Sequence, residues 1–597
     1  MAMFVVRYLE SPTGVVAPQE WERMLAHLRP GGTWRCYASA GFGIGEYTPP
    51  QRGGTYVVER GERLCVTTGH PNKPGSRAND HATLLAEWRQ AVDAVLPPDA
   101  QAWEGLFSVA AYHAPSRAFA AMTDRLGMWP IYVSRDDDGW WVASSALAIG
   151  CLRPVTFDPD ALACIRTAGY LLADVSLFRE IRRLDAGTIL TFTGRTEERQ
   201  RWWKPPAPKA DGSASEEARA FVDAATANLR DRLDVQSHTL CTLTAGLDSR
   251  CIIALLLATK LPATFFTSNT EDPIDVSVAR LLAETLGLKW SEYSPARLEP
   301  ASLRNVMLLS TMLCDGESQP ARGTTFWSYG LRERVEPTVW GFGGEVWRDY
   351  WSKQEKGRFL LKGATPLDRL VRYRMTGSPI PLATLAPEFR SDTHRRAVEL
   401  LTPEYDALSD RDVLDRLEVL YLTQRVRRWA STHLVTMAWW TWPELPFLGQ
   451  RLIEQAYALP SAARTGGEIM RHTVWEHCRV GARLPHNEGY YTMPRARATL
   501  ADRITTARLD ARHLLRKLHL FKRQPVERAA QKPNPSYRDA FSDLLTTRDM
   551  TSAFLYDPAA LEEHITAHWE EPTGASRLLN GVLGLEQALR SARALQT

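Results

Sequence analysis

Leu240–Arg250 reads LCTLTAGLDSR, an apolar run that passes through Thr244, Ala245 and Gly246 before Asp248 and Ser249. The pattern predicts a strand over Thr239–Thr244, a tight turn of small residues, and a helix over Ser249–Thr259. At a strand's carboxyl end, such a turn offers backbone N–H groups and a helix N-terminus to an anion. Small side chains let a phosphate approach the main chain. Asp248 supplies the carboxylate that Mg²⁺ needs, because this ion takes few protein oxygens and fills its shell with water and phosphate. The plain alternative is an ordinary strand–helix turn with Asp248 as the cap. The stretch alone does not choose.

Downstream the alternation continues. Ala263–Thr267 and Lys289–Tyr293 read as strands around an amphipathic helix at Asp275–Leu286, and Thr338–Gly341 is a later strand running into glycines. Short buried strands alternating with helices imply a parallel, doubly wound sheet. Beyond about residue 360 the pattern is mostly helical, ending in two helices over Pro558–Leu595 broken at Glu571–Gly574. Upstream, Phe107–Tyr112, Ala118–Thr123, Ile131–Ser134, Trp140–Ser144 and Thr188–Thr193 are strand-like, with helical patterns at His81–Leu96 and Pro159–Leu171. That order suggests a layered α+β domain. Lys204–Ser215 (KPPAPKADGSAS) is the best linker, and Glu216–Leu233 resumes as helix.

Composition agrees with two domains. The chain has 597 residues, 44% hydrophobic and 24% charged, which is globular and rules out a mainly disordered or fibrous protein. Its 72 basic and 69 acidic residues leave +3, so bulk charge gives no reason to expect nucleic acid. The longest apolar run, Cys251–Ala258, falls far short of the ~20 residues that span a bilayer. The start, MAMFVVRYLE, lacks signal-peptide features, and the eight cysteines show neither CxxC nor zinc spacing. A soluble, reduced, cytoplasmic protein is expected, with no membrane partner. Twenty tryptophans are many. Trp140–Trp141 and Trp202–Trp203 are expected in packing, whereas Trp347, Trp351, Trp439, Trp440 and Trp442 lie near motifs and are candidates for contact with an apolar substrate.

TAGLDS resembles the SGGxDS pyrophosphate loop of asparagine synthetases and β-lactam synthetases, with Thr244 for Ser and Ala245 for the first Gly. Trp340–Glu345 (WGFGGE) is similar to that family's GxGxD turn, with Glu345 at the acidic position. Trp103–Ile149 resembles part of the family's amino-terminal glutaminase domain. Pro446–Leu448 with Leu459–Pro460, and Leu484–Pro494 (LPHNEGYYTMP), resemble its carboxyl-terminal segments. The resemblance implies a glutaminase-like (Ntn-type) α+β sandwich over 1–204, a linker at 205–215, and an ATP pyrophosphatase-type α/β domain with a helical tail over 216–597. It implies ATP held by Leu243, Thr244, Ala245, Gly246, Leu247, Asp248, Ser249, Thr267, Ser268, Gly343 and Gly344. Asp248 and Glu345 would carry Mg²⁺.

Departures from the family narrow the activity. Glutamine-using members carry a nucleophilic cysteine directly after the initiator Met; here residue 2 is Ala2 and the first cysteine is Cys36. The sandwich is therefore expected to be a vestigial class II amidotransferase-like domain without its nucleophile. The family's lysine aligns with Asn487, and Arg495, with Arg497 as alternative, is the candidate catalytic replacement. Phe342 stands where β-lactam synthetases have a catalytic Tyr; Trp442 and Glu444 stand where asparagine synthetases have Glu and Arg. This combination most resembles lasso peptide cyclases. The implied reaction is adenylation of an Asp or Glu side chain of a ribosomal precursor peptide, closed by the peptide's own amino terminus into a macrolactam. Trp347, Arg428, Trp440, Trp442 and Glu444 would bind that peptide. A leader-recognition protein and a leader peptidase are the implied partners.

Three points stay open. Arg425, Arg427 and Arg428 read as a charged helix face or as anion ligands facing the site. His433 reads as a packing residue, and Arg250 has no account in the sequence. The alternatives to a cyclase are an ammonia- or amine-dependent ligase acting on a small molecule, and a catalytically dead precursor-binding scaffold.

Overall fold

The computed structural model describes residues 3–49, 57–60, 62–72, 103–209, 214–233, 239–268, 273–293, 298–317, 320, 337–360, 362–375, 380–390, 392–486, 535–546, 548–570 and 577–593, with scattered positions between 500 and 515. The architecture is mixed α/β: an amino-terminal antiparallel sandwich, then a parallel five-stranded sheet with helices.

Period-two alternation builds the sandwich. In Met3–Leu9, the side chains of Phe4, Val6 and Tyr8 enter the layer between two six-stranded sheets, beside Phe42, Tyr112, Phe119 and Trp140. Phe42 from one sheet stacks on Tyr112 from the other, with centroids 3.7 Å apart and planes at 3°. Met3 and Val5 point the other way, into a layer shared with the helices Ala146–Leu152 and Pro159–Ala168. A strand covered on both faces is apolar in both directions, which is why MFVVRYL shows no polar alternation and its one charge, Arg7, is buried on Asp136. The sequence DRLGMWP makes a turn rather than a site. Buried Asp124 accepts N–H bonds from Leu126, Met128 and Trp129 at 2.9, 3.3 and 3.0 Å. Gly127 takes φ +58 against Ala186, where a side chain has no room.

The second sheet contains β1 (Leu240–Thr242), β2 (Thr264–Ser268), β3 (Trp290–Tyr293), β4 (Pro337–Val339) and β5 (Trp442–Glu444). All pairs are parallel, in the order β3-β2-β1-β4-β5. Helix α1 (Ala214–Arg232), α2 (Leu247–Thr259), α3 (Pro273–Leu286), α4 (Pro300–Leu313) and α5 (Glu468–His477) belong to this half. Cys251–Leu256 of α2 are all buried, since α1 and α5 cover the helix. Strand β5 was not expected: Pro443 at its centre argues against a strand, but β5 is the sheet edge, where a missing N–H is tolerated.

The expected linker is partly structured. Lys209 N–H donates to Ala458 O at 2.7 Å, and Arg411 donates to the carbonyls of Pro205 and Pro206. The last expected helices appear as Pro558–Glu570 and Arg577–Arg593, while the break between them and the expected helix at His81–Leu96 lie outside the described residues. No helix among the described residues is long and apolar enough to cross a membrane.

The two halves meet across buried charge. Just past α4, Glu317 accepts from Tyr132 Oη at 2.7 Å and pairs with Arg428 at 3.3 Å and Arg183 at 3.7 Å. Asp315, two residues earlier, accepts from Ser145 Oγ and from Leu147 N–H.

Candidate functional site

Chain order and strand order diverge at β1. From β1 the chain moves outward to β2 and β3, then returns to the other side of β1 to lay down β4 and β5. By the right-handed crossover rule, connections that leave β1 in opposite directions lie on opposite faces, which places the expected crevice at the carboxyl ends of β1 and β4. The register Leu240↔Thr338 and Cys241↔Val339 delivers both motifs there.

Thr244–Gly246 leaves β1 and enters α2 with Gly246 as the cap. Asp248 does not cap the helix. Its side chain instead reaches toward the turn that leaves β4, and the glycines there are what admit it. A Cβ on Gly341 would lie 3.2 Å from Asp248 Cβ, and one on Gly344 would collide with Asp248 Oδ1. Gly343 sits at φ +92 against Leu448. Glu345 follows in a short helical turn, Gly344–Trp347.

Arg348 stands between the acids. Its Nη2 donates to Asp248 Oδ2 at 2.8 Å and lies 4.0 Å from Glu345 Oε1. The remaining oxygens, Asp248 Oδ1 and Glu345 Oε2, are buried without a hydrogen-bond partner among the described residues. Burial holds the Asp248 carboxyl well above the usual carboxylate range; the nearby Arg348 opposes this and Glu345 adds to it. Two unsatisfied acid oxygens at a crevice fit a divalent cation. No group of three metal-ligating side chains occurs among the described residues, so such an ion would draw its other ligands from water and phosphate, as Mg²⁺ commonly does.

The loop is shaped by its own hydroxyls. Ser249 Oγ accepts the Thr244 N–H at 3.1 Å and shares a 2.9 Å hydrogen bond with Thr244 Oγ1, which accepts the Gly246 N–H at 3.3 Å. Ala245 N–H donates to Asp275 Oδ1 at 2.9 Å, from the first turn of α3. Leu243 and Ala245 are fully buried, Leu247 nearly so, and all three face packing. Thr267 is a strut: its hydroxyl donates to Leu243 O at 2.7 Å and accepts from Trp290 Nε1 at 3.0 Å. Ser268 is buried at the end of β2. Arg250 now has a place, buried and donating to the carbonyls of Ala245, Gly481 and Pro485. It ties the loop to the segment that leads into Asn487. Asn487, Arg495 and Arg497 lie outside the described residues.

The residues expected to contact substrate are placed in packing and at the boundary between the halves. Trp347 is fully buried, edge-on to Phe221 at 4.6 Å, on the side of its short turn away from Glu345. Trp440 is core, as are Trp351, edge-on to Tyr421, and Trp439 beside Tyr47. Glu444 is 2% exposed and neutralised by Arg232 at 3.0 Å, while it also accepts from Trp442 Nε1 at 2.7 Å. Trp442 and Glu444 line a small cavity with Gly105, Leu106 and Trp129 of the sandwich, and so face the other half of the molecule. Arg428 is fully buried on Glu317 and Val175 O, and Arg427 reaches Asp185 at 3.1 Å and Leu184 O at 2.8 Å. Neither is a solvated face nor an anion ligand; both join the halves.

Arg425 differs from its neighbours. Along the π-helical stretch Tyr421–Ala430, only Arg425 and Trp429 are partly exposed. Arg425 lies 3.7 Å over the Trp429 ring, and Trp429 is 5.9 Å from Phe342 in the β4 turn. His433 packs on Trp429 at 4.2 Å and hydrogen-bonds to its carbonyl, the packing role expected. The four cysteines of the sandwich are not poised nucleophiles: burial pushes Cys65, Cys151 and Cys164 each up to about 12 and raises Cys36, whose thiol donates to Pro18 O.

Residues 77–203 match the family described as a glutamine amidotransferase domain. No curated protein matches the chain in sequence. Among solved structures, the chain is similar to a glutamine phosphoribosylpyrophosphate amidotransferase from B. subtilis complexed with ADP and GMP, with 10% identity, 49% of this chain and 65% of that chain covered, and a TM-score of 0.24. That match spans just under two thirds of the solved chain. An allosteric regulatory enzyme of purine biosynthesis gives 11% identity over 52% and 77%, with a TM-score of 0.25. An NMN synthetase from Francisella tularensis gives 16% over 36% and 95%, with a TM-score of 0.19. Scores this low carry no inference about shared activity.

Proposed function

We propose that this chain is an ATP-dependent, AMP-forming amide ligase acting in the crevice between β1 and β4. The observation that carries the reading is the pair Asp248 and Glu345, each with an unpartnered buried oxygen, brought together from two motifs at adjacent strand ends. A phosphate loop of small residues beside them supports it, as does the amidotransferase-domain match over 77–203. Asp248 and Glu345 would hold Mg²⁺, which when bound shields phosphate charge so that an anionic carboxylate can approach. The chain's own residues do the rest. Thr244 and Ser249 fix the shape of the loop, whose N–H groups at Thr244, Ala245 and Gly246 are bonded within the protein, and Ala245 keeps the turn small. Arg425 over Trp429, with Phe342 of the β4 turn beside that ring, makes a cationic and aromatic cluster suited to an acyl substrate that carries a carboxylate.

The specific form favoured is macrolactam closure on a linear precursor peptide, by resemblance to lasso peptide cyclases, with a leader-recognition protein and peptidase as partners. An amine on the substrate's own chain agrees with a sandwich whose cysteine thiols are all raised rather than activated, three of them buried and Cys36 half-buried. A second reading, ligation of a small diffusible amine, draws support from Trp347, Trp351, Trp439 and Trp440, which are used in packing rather than in lining a peptide cavity.

Mass spectrometry of linear peptides with a free amino terminus and an internal Asp or Glu, incubated with protein, ATP and Mg²⁺, tests the choice. Macrolactam closure predicts ATP-dependent loss of one water, absent with Asp248→Ala, in a product that resists exopeptidase. AMP release without peptide dehydration points to the small-amine reading. Neither AMP nor dehydration, across peptides and small acids, rejects both.

A further inference from the structure

Arg348 belongs to neither motif, yet its guanidinium sits where a cation shared by Asp248 and Glu345 would have to go. It donates to Asp248 Oδ2 at 2.8 Å, stands 4.0 Å from Glu345 Oε1, and its backbone N–H is fixed on Glu345 O at 3.0 Å. With both acids ionised, one guanidinium balances only one of the two carboxylates, and two of their oxygens are buried without partners among the described residues. A buried acid pair needs some positive charge, since like charges in low dielectric repel strongly.

A divalent ion between the same acids would make the guanidinium redundant and would repel it. Arg348 is built to leave. Its side chain is 28% exposed, and it holds one short side-chain contact, to Asp248. Buried Arg428, by contrast, is pinned by Leu171 O, Val175 O and Glu317. The stem of Arg348 runs past Gly467, where a Cβ would come within 3.1 Å of its Cγ; Gly466 and Gly467 both take φ +68 before α5. Gly467 leaves the room beside the stem that any side chain there would fill.

We propose that Arg348 is the resting counter-cation of the acid pair, exchanged for a divalent metal when metal and nucleotide arrive together, after which its guanidinium pairs with the nucleotide's phosphates. The second half rests on the ligase reading; the exchange itself is a property of the nucleotide-free protein. It implies that bare metal binds poorly, because it must first evict Arg348, and binds well only when phosphate offers the arginine a new partner.

Mn²⁺ binding to the full chain, read by its spin-resonance signal without nucleotide, tests the exchange. Arg348→Met should bind Mn²⁺ about tenfold more tightly than wild type, and Arg348→Lys, still cationic, should stay near wild type. Adding Asp248→Asn to Arg348→Met should abolish the gain. With ATP present the order should reverse, Arg348→Met holding the Mn²⁺–ATP pair about tenfold more weakly. Equal or weaker Mn²⁺ affinity in the nucleotide-free Arg348→Met protein overturns the proposal, as does a gain that survives Asp248→Asn. If circular dichroism shows Arg348→Met misfolded, Arg348→Gln takes its place with the same expectations. Pyrophosphate exchange in the wild type separates the two failures: exchange without the Mn²⁺ gain sinks the counter-cation and spares the ligase, and the converse does the opposite.

Discussion

Gly344 shows how a single missing methyl positions the acid pair. A Cβ there would occupy the place of Asp248 Oδ1, so Gly344→Ala must push the carboxylate out of the crevice. The expected outcome is a fall of about 10²-fold in pyrophosphate exchange, with far-ultraviolet dichroism unchanged, because misplacing a reacting group by an ångström has that cost. Asp124 offers a test of burial. Its carboxyl is pushed up to about 6 by burial, although backbone N–H groups pull the other way. A folded-state value above the unfolded 3.8 means that the group favours folding fully below about pH 4, and that the benefit is lost as pH rises through about 6. Unfolding free energies of wild type from urea titration should therefore fall relative to Asp124→Asn between about pH 4 and 6, by at most about 3 kcal/mol. Parallel curves would contradict this. Asp248 and Glu345 were legible in the sequence because short motifs at strand ends fix where a side chain starts. Arg348 was not, since nothing local says that a guanidinium turns back across its own turn. Trp347 misled for a related reason: in one helical turn Glu345 and Arg348 share a side and Trp347 does not, and residue type does not report the side.

At the scale of elements, the stretch Tyr421–Ala430 was misread because its partners are far away in sequence. Arg427 and Arg428 look like a solvated face until Asp185, Val175 and Glu317 are folded onto them. Glu317 is 3% exposed and surrounded by Tyr132, Arg183 and Arg428. Removing its charge leaves two buried guanidinium groups short of a counter-ion, so Glu317→Gln should lower stability by about 3 kcal/mol in urea titration. Replacing Arg428 with Met in that background should recover part of the loss. A Glu317→Gln protein as stable as wild type would mean the network is decorative. The alternation from β1 to β3, by contrast, was read almost to the residue, because buried parallel strands and amphipathic helices carry their own periodicity. Strand β5 carries Pro443, which would argue against a central strand and is tolerated at the sheet edge where β5 lies.

Over the whole molecule, one continuous core runs from Met3 and Ala143 of the sandwich through α2 to Leu578–Leu589 near the end of the described chain. With the Glu317 network crossing the same boundary, the halves are expected to unfold together. Scanning calorimetry should give one endotherm, and two well-separated endotherms would show that the shared core is not cooperative. The division into a strand-rich half and an alternating half was legible from pattern alone. How the halves dock was not, because docking depends on pairs such as Ser145 with Asp315, which no periodicity encodes. Strand order decides where the chemistry lies: β3-β2-β1-β4-β5 is the arrangement that sets Asp248 against Glu345. The most direct measurement is isotope exchange between pyrophosphate and ATP, with Mg²⁺ and a pool of linear peptides and small carboxylic acids, for wild type, Asp248→Asn and Glu345→Gln. Exchange in the wild type, falling by about 10²- to 10³-fold in either variant, is the expected result. Exchange at one rate in all three proteins, or cleavage of ATP to ADP, would place the chemistry elsewhere.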